Sequence, residues 1–230
     1  MRIIYIVLLI FCFSVLASGQ VIESELVFSA GVSNSFIYSK DFNSTSRLGM
    51  NCSFGFKNSI LDDLDIITCF NFSTMGATIE GREFVDSSFS LSTEPVKVKF
   101  KYPYYMIDII ASYKLMEPWL SVQGGASVGI GAGPALNYNM ANVYIGNSDN
   151  IEEDLSLYQV QGNIGFDYGV LFGLAAGNED VQVCLQYTRF FKDICKGIDF
   201  TVQDYSAHNG LLELKVFIFA DYINPHAYGR

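Results

Sequence analysis

Ten residues set the terms for the whole chain. Val181 to Phe190 reads VQVCLQYTRF, and apolar and polar residues trade places at nearly every step. In an extended strand this puts Val181, Val183, Leu185 and Tyr187 on one side and Gln182, Cys184, Gln186 and Thr188 on the other. A soluble sandwich or calyx turns the apolar side towards a core. A membrane barrel turns the same side towards lipid and leaves the polar side to a narrow interior.

The alternation recurs along most of the sequence. ELVFSAGVSNSF sets Leu26, Phe28, Ala30, Val32 and Phe36 against Ser29, Gly31, Ser33 and Ser35. RLGMNCSFGFK follows, and then IITCFNFST, where the facing is poorly defined. YYMIDIIASYKL sets Tyr105, Ile107, Ile109 and Tyr113 against Asp108, Ser112 and Lys114. WLSVQGGASVGIG, VQGNIGFDYGVLF, VQVCLQYTRF and GLLELKVFIF complete eight segments. Several exceed the 5–6 residues usual for soluble strands and match the roughly 9–11 that a tilted transmembrane strand needs. The links after segments two, four and six are short (NSILDDLD, the residues around Met116-Glu117-Pro118, and Gly177 to Asp180). Those after segments one, three, five and seven are mostly longer, the second running from about Met75 to Pro103. Sorting of links by strand parity is a barrel property, with short periplasmic turns and long external loops. The expectation is all-β: a single antiparallel up-and-down transmembrane β-barrel of eight strands. A hairpin near Phe84 would raise the count to ten if it joined the wall. A lipocalin-like calyx keeps the count and reverses the facing.

Arg2, an apolar run from Ile3 to Phe13 and the small residues Ala17-Ser18-Gly19 read as a signal peptide over residues 1–19. The barrel domain then occupies residues 20–230, enough for one all-β domain. Half of the residues are hydrophobic and 15% aromatic, and only 17% are charged, against about 25% in soluble proteins. A net charge of −10 argues against nucleic acid and against anionic headgroups as ligands. Export through the inner membrane to the cell outer membrane makes outer-membrane lipid and the barrel-assembly machinery the expected partners. Secretion-machinery or surface proteins are further ones.

The segments offer little that carries chemistry, and no catalytic, cofactor or metal residue is assigned. An eight-stranded barrel is just wide enough for its own side chains. Its expected interior holds Lys57, Asp108, Lys114, Asp167, Glu213 and Lys215, which favours a paired, closed plug over a small passive channel. His208, four residues after Asp204 and beside Ser206, sits in an expected loop and is the one candidate for a rim-site hydrolase. The acidic run DNIEED (Asp149, Glu152, Glu153, Asp154) lacks calcium-loop spacing and reads as solvated. Trp119, Tyr104, Tyr105, Tyr113, Tyr138 and Tyr187 are candidates for the aromatic girdles. Cys52, Cys69, Cys184 and Cys195 form no metal-type cluster and are expected free. The near symmetry of Cys52 and Cys69 about Ile60-Leu61 leaves a cross-strand pair open.

KYPYYMIDIIASYKL, GGASVGIGAGPAL, GFDYGVLFGLAAG and VQVCLQYTRFFKDI, with a closing strand ending at Phe219, resemble the PorT-like outer-membrane β-barrel family (the Bacteroidetes-type outer membrane protein β-barrel domain). The first three segments fit in outline only. The resemblance implies an outer-membrane location and, for the named member, a role in secretion of surface proteins. Such chains end near a final aromatic residue that assists insertion. Here Ala220 to Arg230 extends beyond Phe219, with Tyr222 and Tyr228 as substitutes. The function expected is that of a non-enzymatic barrel, structural, surface-interacting or secretion-accessory, with specificity in the loops. A porin-like channel, the rim hydrolase and a soluble carrier are the alternatives.

Overall fold

The computed structural model describes residues 24–85, 90–116, 118–132, 143–145, 155–156, 160, 164–196 and 205–221. The strands are β1 (Ser24–Ser39), β2 (Ser44–Leu61), β3 (Leu64–Val85), β4 (Ser90–Met116), β5 (Leu120–Gly131), β6 (Val143–Ile145), β7 (Leu155–Ser156), β8 (Phe166–Gly177), β9 (Val181–Asp193) and β10 (Ala207–Asp221). Neighbours run antiparallel in the order β1-β2-β3-β4-β5-β8-β9-β10, and pairing of β10 with β1 from Glu25↔Asp221 to Ser39↔Ala207 closes the ring. Eight strands therefore build the wall. β6 and β7 lie outside it, hung on the far end of β3 through Arg82↔Tyr144. The expected residues 1–19, the DNIEED run, Tyr138, Asp204, Tyr222 and Tyr228 lie outside the described residues.

The facing follows the membrane assignment over the part of the wall nearer the turns. Phe28, Val32, Leu48, Phe54, Phe70, Ile107, Ile109, Phe172, Leu185, Leu214 and Ile218 stand exposed on the outside. Ser29, Ser53, Asn71, Asp108, Gln123, Ser127, Gln186, Glu213 and Lys215 are buried inside. That is the build of a transmembrane barrel, because a water-soluble calyx has no means of covering such a band. Outer aromatics pack across strands, Phe54 on Phe70 at 5.5 Å and Phe72 on Tyr105 at 5.4 Å. Such pairs contribute about 0.5–1.5 kcal/mol each.

The turn end is tighter than the links in the sequence suggest. Most of NSILDDLD is strand: Leu61 pairs with Leu64, leaving Asp62-Asp63 as the turn. Between β8 and β9, the Asn178 side-chain oxygen accepts from the N–H groups of Asp180 (3.1 Å) and Val181 (2.7 Å), an Asx turn that presets the hairpin. The sixth segment begins later than expected, at Phe166 rather than Val160.

The largest correction concerns Met75 to Pro103, read from sequence as a loop. β3 and β4 continue through it as a paired ribbon, from Met75↔Tyr102 to Val85↔Ser90, so the Phe84 hairpin extends an existing pair and adds no wall strand. Along this ribbon the two faces exchange character. On β3 the outward residues change from Phe70 and Phe72 to Thr74, Thr78 and Glu80. The inward ones change from Asn71 and Ser73 to Met75, Ala77 and Ile79, all buried. On β4 the outward Ile107 and Tyr105 give way to Lys101, Lys99 and Lys97, over inward Tyr102, Phe100 and Val98. Below the exchange the wall is built for hydrocarbon. Above it the wall is built for water.

Candidate functional site

The interior is the natural place to look for a path or a reaction, and it is stacked in layers. At the turn end a vestibule of about 410 Å³ is lined by Glu25, Lys57, Asp65, Lys114, Glu179 and Gln182, among others. Lys57 pairs with Glu25 at 3.0 Å and lies 4.7 Å from the centre of the Phe219 ring. Ser59 donates to Asp65 at 2.7 Å, and Lys114 donates to the Asp62 carbonyl at 2.8 Å. Phe219 thus points into the barrel, not to lipid, which removes it as a lipid-facing insertion signal. Above the vestibule Val27, Ile67, Cys69, Ile110, Leu171, Ala175, Cys184, Phe217 and Phe219 form one apolar cluster.

The charged layer comes next. Lys215 and Glu213 share the inward face of β10 and pair at 3.0 Å, each 1% exposed. Asn71 on β3 donates to Asp108 at 3.1 Å and reaches Glu213 at 3.4 Å. Ser127 on β5 donates to Asp108 at 2.6 Å. Four strands from different parts of the chain are tied together here. The sequence supplied Asp108, Glu213 and Lys215, and also Lys57 and Asp167 as buried interior groups. Lys114 is only half-buried, at the mouth. Asn71 was missed because the third segment had no clear facing. Its partner register, Asn71 opposite Ser53 and Met106, supplies that facing.

Towards the loop end the interior turns apolar again. Met75, Ile79, Val98, Phe100, Tyr102, Tyr104, Met106, Val143, Ile145, Val160, Phe190, Ile194 and Leu211 belong to a single buried cluster. Tyr104 meets Phe190 edge-on at 5.3 Å, and Tyr102 donates to Asn209 at 3.1 Å. Tyr104 was expected in a girdle. It lies inside, 1% exposed, on the same face as Met106 and Asp108. Trp119, Tyr105 and Tyr113 are exposed on the outside as expected. The charged layer therefore sits between two apolar clusters, and the upper one carries a few buried polar groups of its own, among them Asn209, which accepts from Tyr102 at 3.1 Å.

Among the described residues, the rim groups around His208 do not line up as a hydrolytic relay. His208 lies on β10, opposite Tyr38 and Asp193, and not in a loop. Its Nδ1 faces the Lys192 carbonyl at 3.2 Å. Ser206 hydrogen-bonds Asp193 through its side chain, and its N–H donates to Asp41 at 2.9 Å. In a nucleophilic relay the histidine stands between hydroxyl and carboxylate; here serine meets the carboxylate directly. Asp193 accepts instead from the N–H groups of Cys195 (2.9 Å) and Ala207 (3.0 Å). That is a clamp for the base of the β9–β10 loop.

Cys52, Cys69, Cys184 and Cys195 are all free. Cys52 faces lipid and Cys69 the interior, in rows paired with Phe72 and Gly55 respectively, so they cannot meet. Above the apolar band, burial pushes the Cys195 thiol up to about 12, with the charges of Asp193 and Asp41 adding to the effect. A thiol reacts as thiolate. In the folded, detergent-solubilised protein Cys52, exposed on the outer face, is the one of the four thiols that N-ethylmaleimide dissolved in the micelle can reach, and it is expected to label. Cys69, Cys184 and Cys195 should label only after unfolding. Mass spectrometry of labelled peptides reads this directly, and rapid labelling of Cys195 in the folded state would contradict the packing described.

No family model matches the sequence, and no curated protein sequence matches it. Solved structures are similar at low identity. Ail, the attachment invasion locus protein of Yersinia pestis, in complex with the heparin analogue sucrose octasulfate, aligns at 13% identity and TM-score 0.44, covering 86% of this chain and 99% of that one. Neisserial surface protein A aligns at 13% identity and TM-score 0.39, covering 84% and 96%. The translocator domain of the autotransporter NalP from Neisseria meningitidis aligns at 8% identity and TM-score 0.26, covering 89% and 91%.

Proposed function

We propose that this chain is a closed, non-enzymatic outer-membrane barrel that holds a folded head at the cell surface, with the head as its contact surface. The observation that carries this reading is the Tyr102–Tyr104–Phe190 cluster, whose buried rings pack against one another inside the barrel above the charged layer. The outer apolar band and the all-antiparallel closed wall favour an outer membrane, since an exported barrel of this size satisfies every backbone group only by closing on itself. The signal-like start of the sequence agrees with export. Outer-membrane lipid and the barrel-assembly machinery are the partners such a protein requires. The purified protein in a planar bilayer is expected to give no stepwise conductance; reproducible unitary steps of porin size would overturn the closed reading.

The quoted segments that resemble PorT-like barrels favour a more specific role as accessory to the secretion of surface proteins. A clean deletion, compared with its parent for secreted and surface proteins, tests it. Loss of a defined cargo set supports that role, and an unchanged profile leaves the surface-contact role alone.

A further inference from the structure

We infer that Arg189, framed by Tyr38 and Tyr187, is a binding site for the phosphate of a lipid headgroup in the outer leaflet. Arg189 falls on the outward face of β9, in the row Leu185, Tyr187, Arg189, Phe191. A guanidinium thus emerges between two aromatic residues at the upper edge of the apolar band. Its cross-strand partner on β10 is Gly210, and the space above that glycine is taken by the Phe36 ring, 2.3 Å from where a Cβ would stand. Phe36 stacks on Tyr187 at 6.2 Å and 10° and meets Tyr38 edge-on at 4.8 Å. The two tyrosine hydroxyls are 3.3 Å apart. The Arg189 guanidinium lies over the Tyr38 ring, 4.7 Å from its centre.

This is a built platform, not a solvated side chain. Stacking uses the flat face of the guanidinium and leaves its in-plane N–H fork for an acceptor. Among the described residues no carboxylate pairs with Arg189, and no group accepts a hydrogen bond from it. The nearest acid along the strand, Asp193, is engaged by Cys195 and Ala207. A bidentate donor with no protein acceptor, held at the boundary between hydrocarbon and water, matches a phosphate monoester or diester at headgroup depth. The paired hydroxyls of Tyr38 and Tyr187 supply further donors. The lysines at 97, 99 and 101 are also outward, but they stand higher, on β4, across the ring from this site, and Lys97 is paired with Glu80 at 3.2 Å.

The inference rests on the outer-membrane reading. The test uses the full-length protein in detergent with diphosphoryl lipid A as probe, with bound lipid counted by native mass spectrometry. Wild type is expected to retain one lipid, and Arg189→Gln to weaken retention at least tenfold. Arg189→Lys keeps the charge and loses the fork, so an intermediate loss of several-fold is expected. Lys99→Gln with Lys101→Gln should behave as wild type. Each variant must show wild-type heat-modifiable gel mobility; if Arg189→Gln does not fold, Arg189→Lys and Tyr38→Phe carry the test. Equal retention by wild type and the Arg189 variants overturns the site. Displacement by millimolar inorganic phosphate alone also overturns the lipid assignment, in favour of a soluble anion. Extraction of the native protein without detergent would instead overturn the membrane reading, which separates the two failures.

Discussion

Replacing Lys215 by Met is expected to destabilise the folded barrel by about 3–5 kcal/mol, the range for removing one partner of a buried ion pair. The layer around it contains two carboxylates, Glu213 and Asp108, both about 1% exposed. Lys215 is the ammonium that meets Glu213, at 3.0 Å. Methionine fills most of the volume, so the loss is electrostatic rather than a cavity. Asn71 still donates to Asp108 and reaches Glu213, and Ser127 still donates to Asp108, but these neutral donors leave both carboxylates without the cation they shared. Glu213→Gln combined with Lys215→Met removes charge and counter-charge together and should recover much of the loss, since a buried pair replaced as a whole is often close to neutral. Urea titration in lipid vesicles, read by heat-modifiable gel mobility, measures both. Additive losses in the double variant would mean that the two side chains act separately.

Phe190→Ala should cost a similar amount, about 3–5 kcal/mol for truncating a buried aromatic, but in a different place. Phe190 is fully buried and leans on Tyr104 at 5.3 Å, which continues through Tyr102 (6.2 Å) to Phe100 (5.5 Å). These contacts hold the head together, while the wall below is held by strand pairing and the charged layer. The variant is therefore expected to keep its gel mobility and to lose resistance of the β3–β4 ribbon to added protease in reconstituted vesicles. Unchanged protection would mean that the ribbon is held by its own strand pairing and not by the shared core.

These two variants divide the molecule along the line where the sequence stopped being legible. Within the apolar band a period of two fixed the facing of seven of the eight segments, because lipid outside and polar groups inside leave no other choice. Asp108, Glu213 and Lys215 could be placed in the lumen on parity alone. Above the band Met75, Ala77 and Ile79 keep the parity of Asn71 and Ser73 while inverting their polarity. A rule that sends apolar residues outward therefore sees the pattern fail and reads a loop. Tyr104 was misplaced for the same reason: an aromatic residue on the inward row looks like a girdle residue until the cluster around Phe190 is seen. Arg189 was in plain view, a cation on the lipid-facing row of the opening segment. Its meaning depended on Tyr38, distant in sequence and brought beside it only by closure of β10 onto β1.

The exchange of faces along β3 and β4 also gives the wall a depth mark and a one-way fit. Sinking further would drag Lys99 and Lys101 into hydrocarbon, where a lysine on the lipid side costs about 2–4 kcal/mol at the midplane. Rising would strip lipid from Phe72 and Tyr105. Met75, Ile79, Val98 and Phe100 find their shared core only after the ribbon has zipped up on the far side of the bilayer. Until then the chain can slip back. Once that core has closed, retreat requires unfolding it first, so the head acts as the knot that keeps the thread from pulling through.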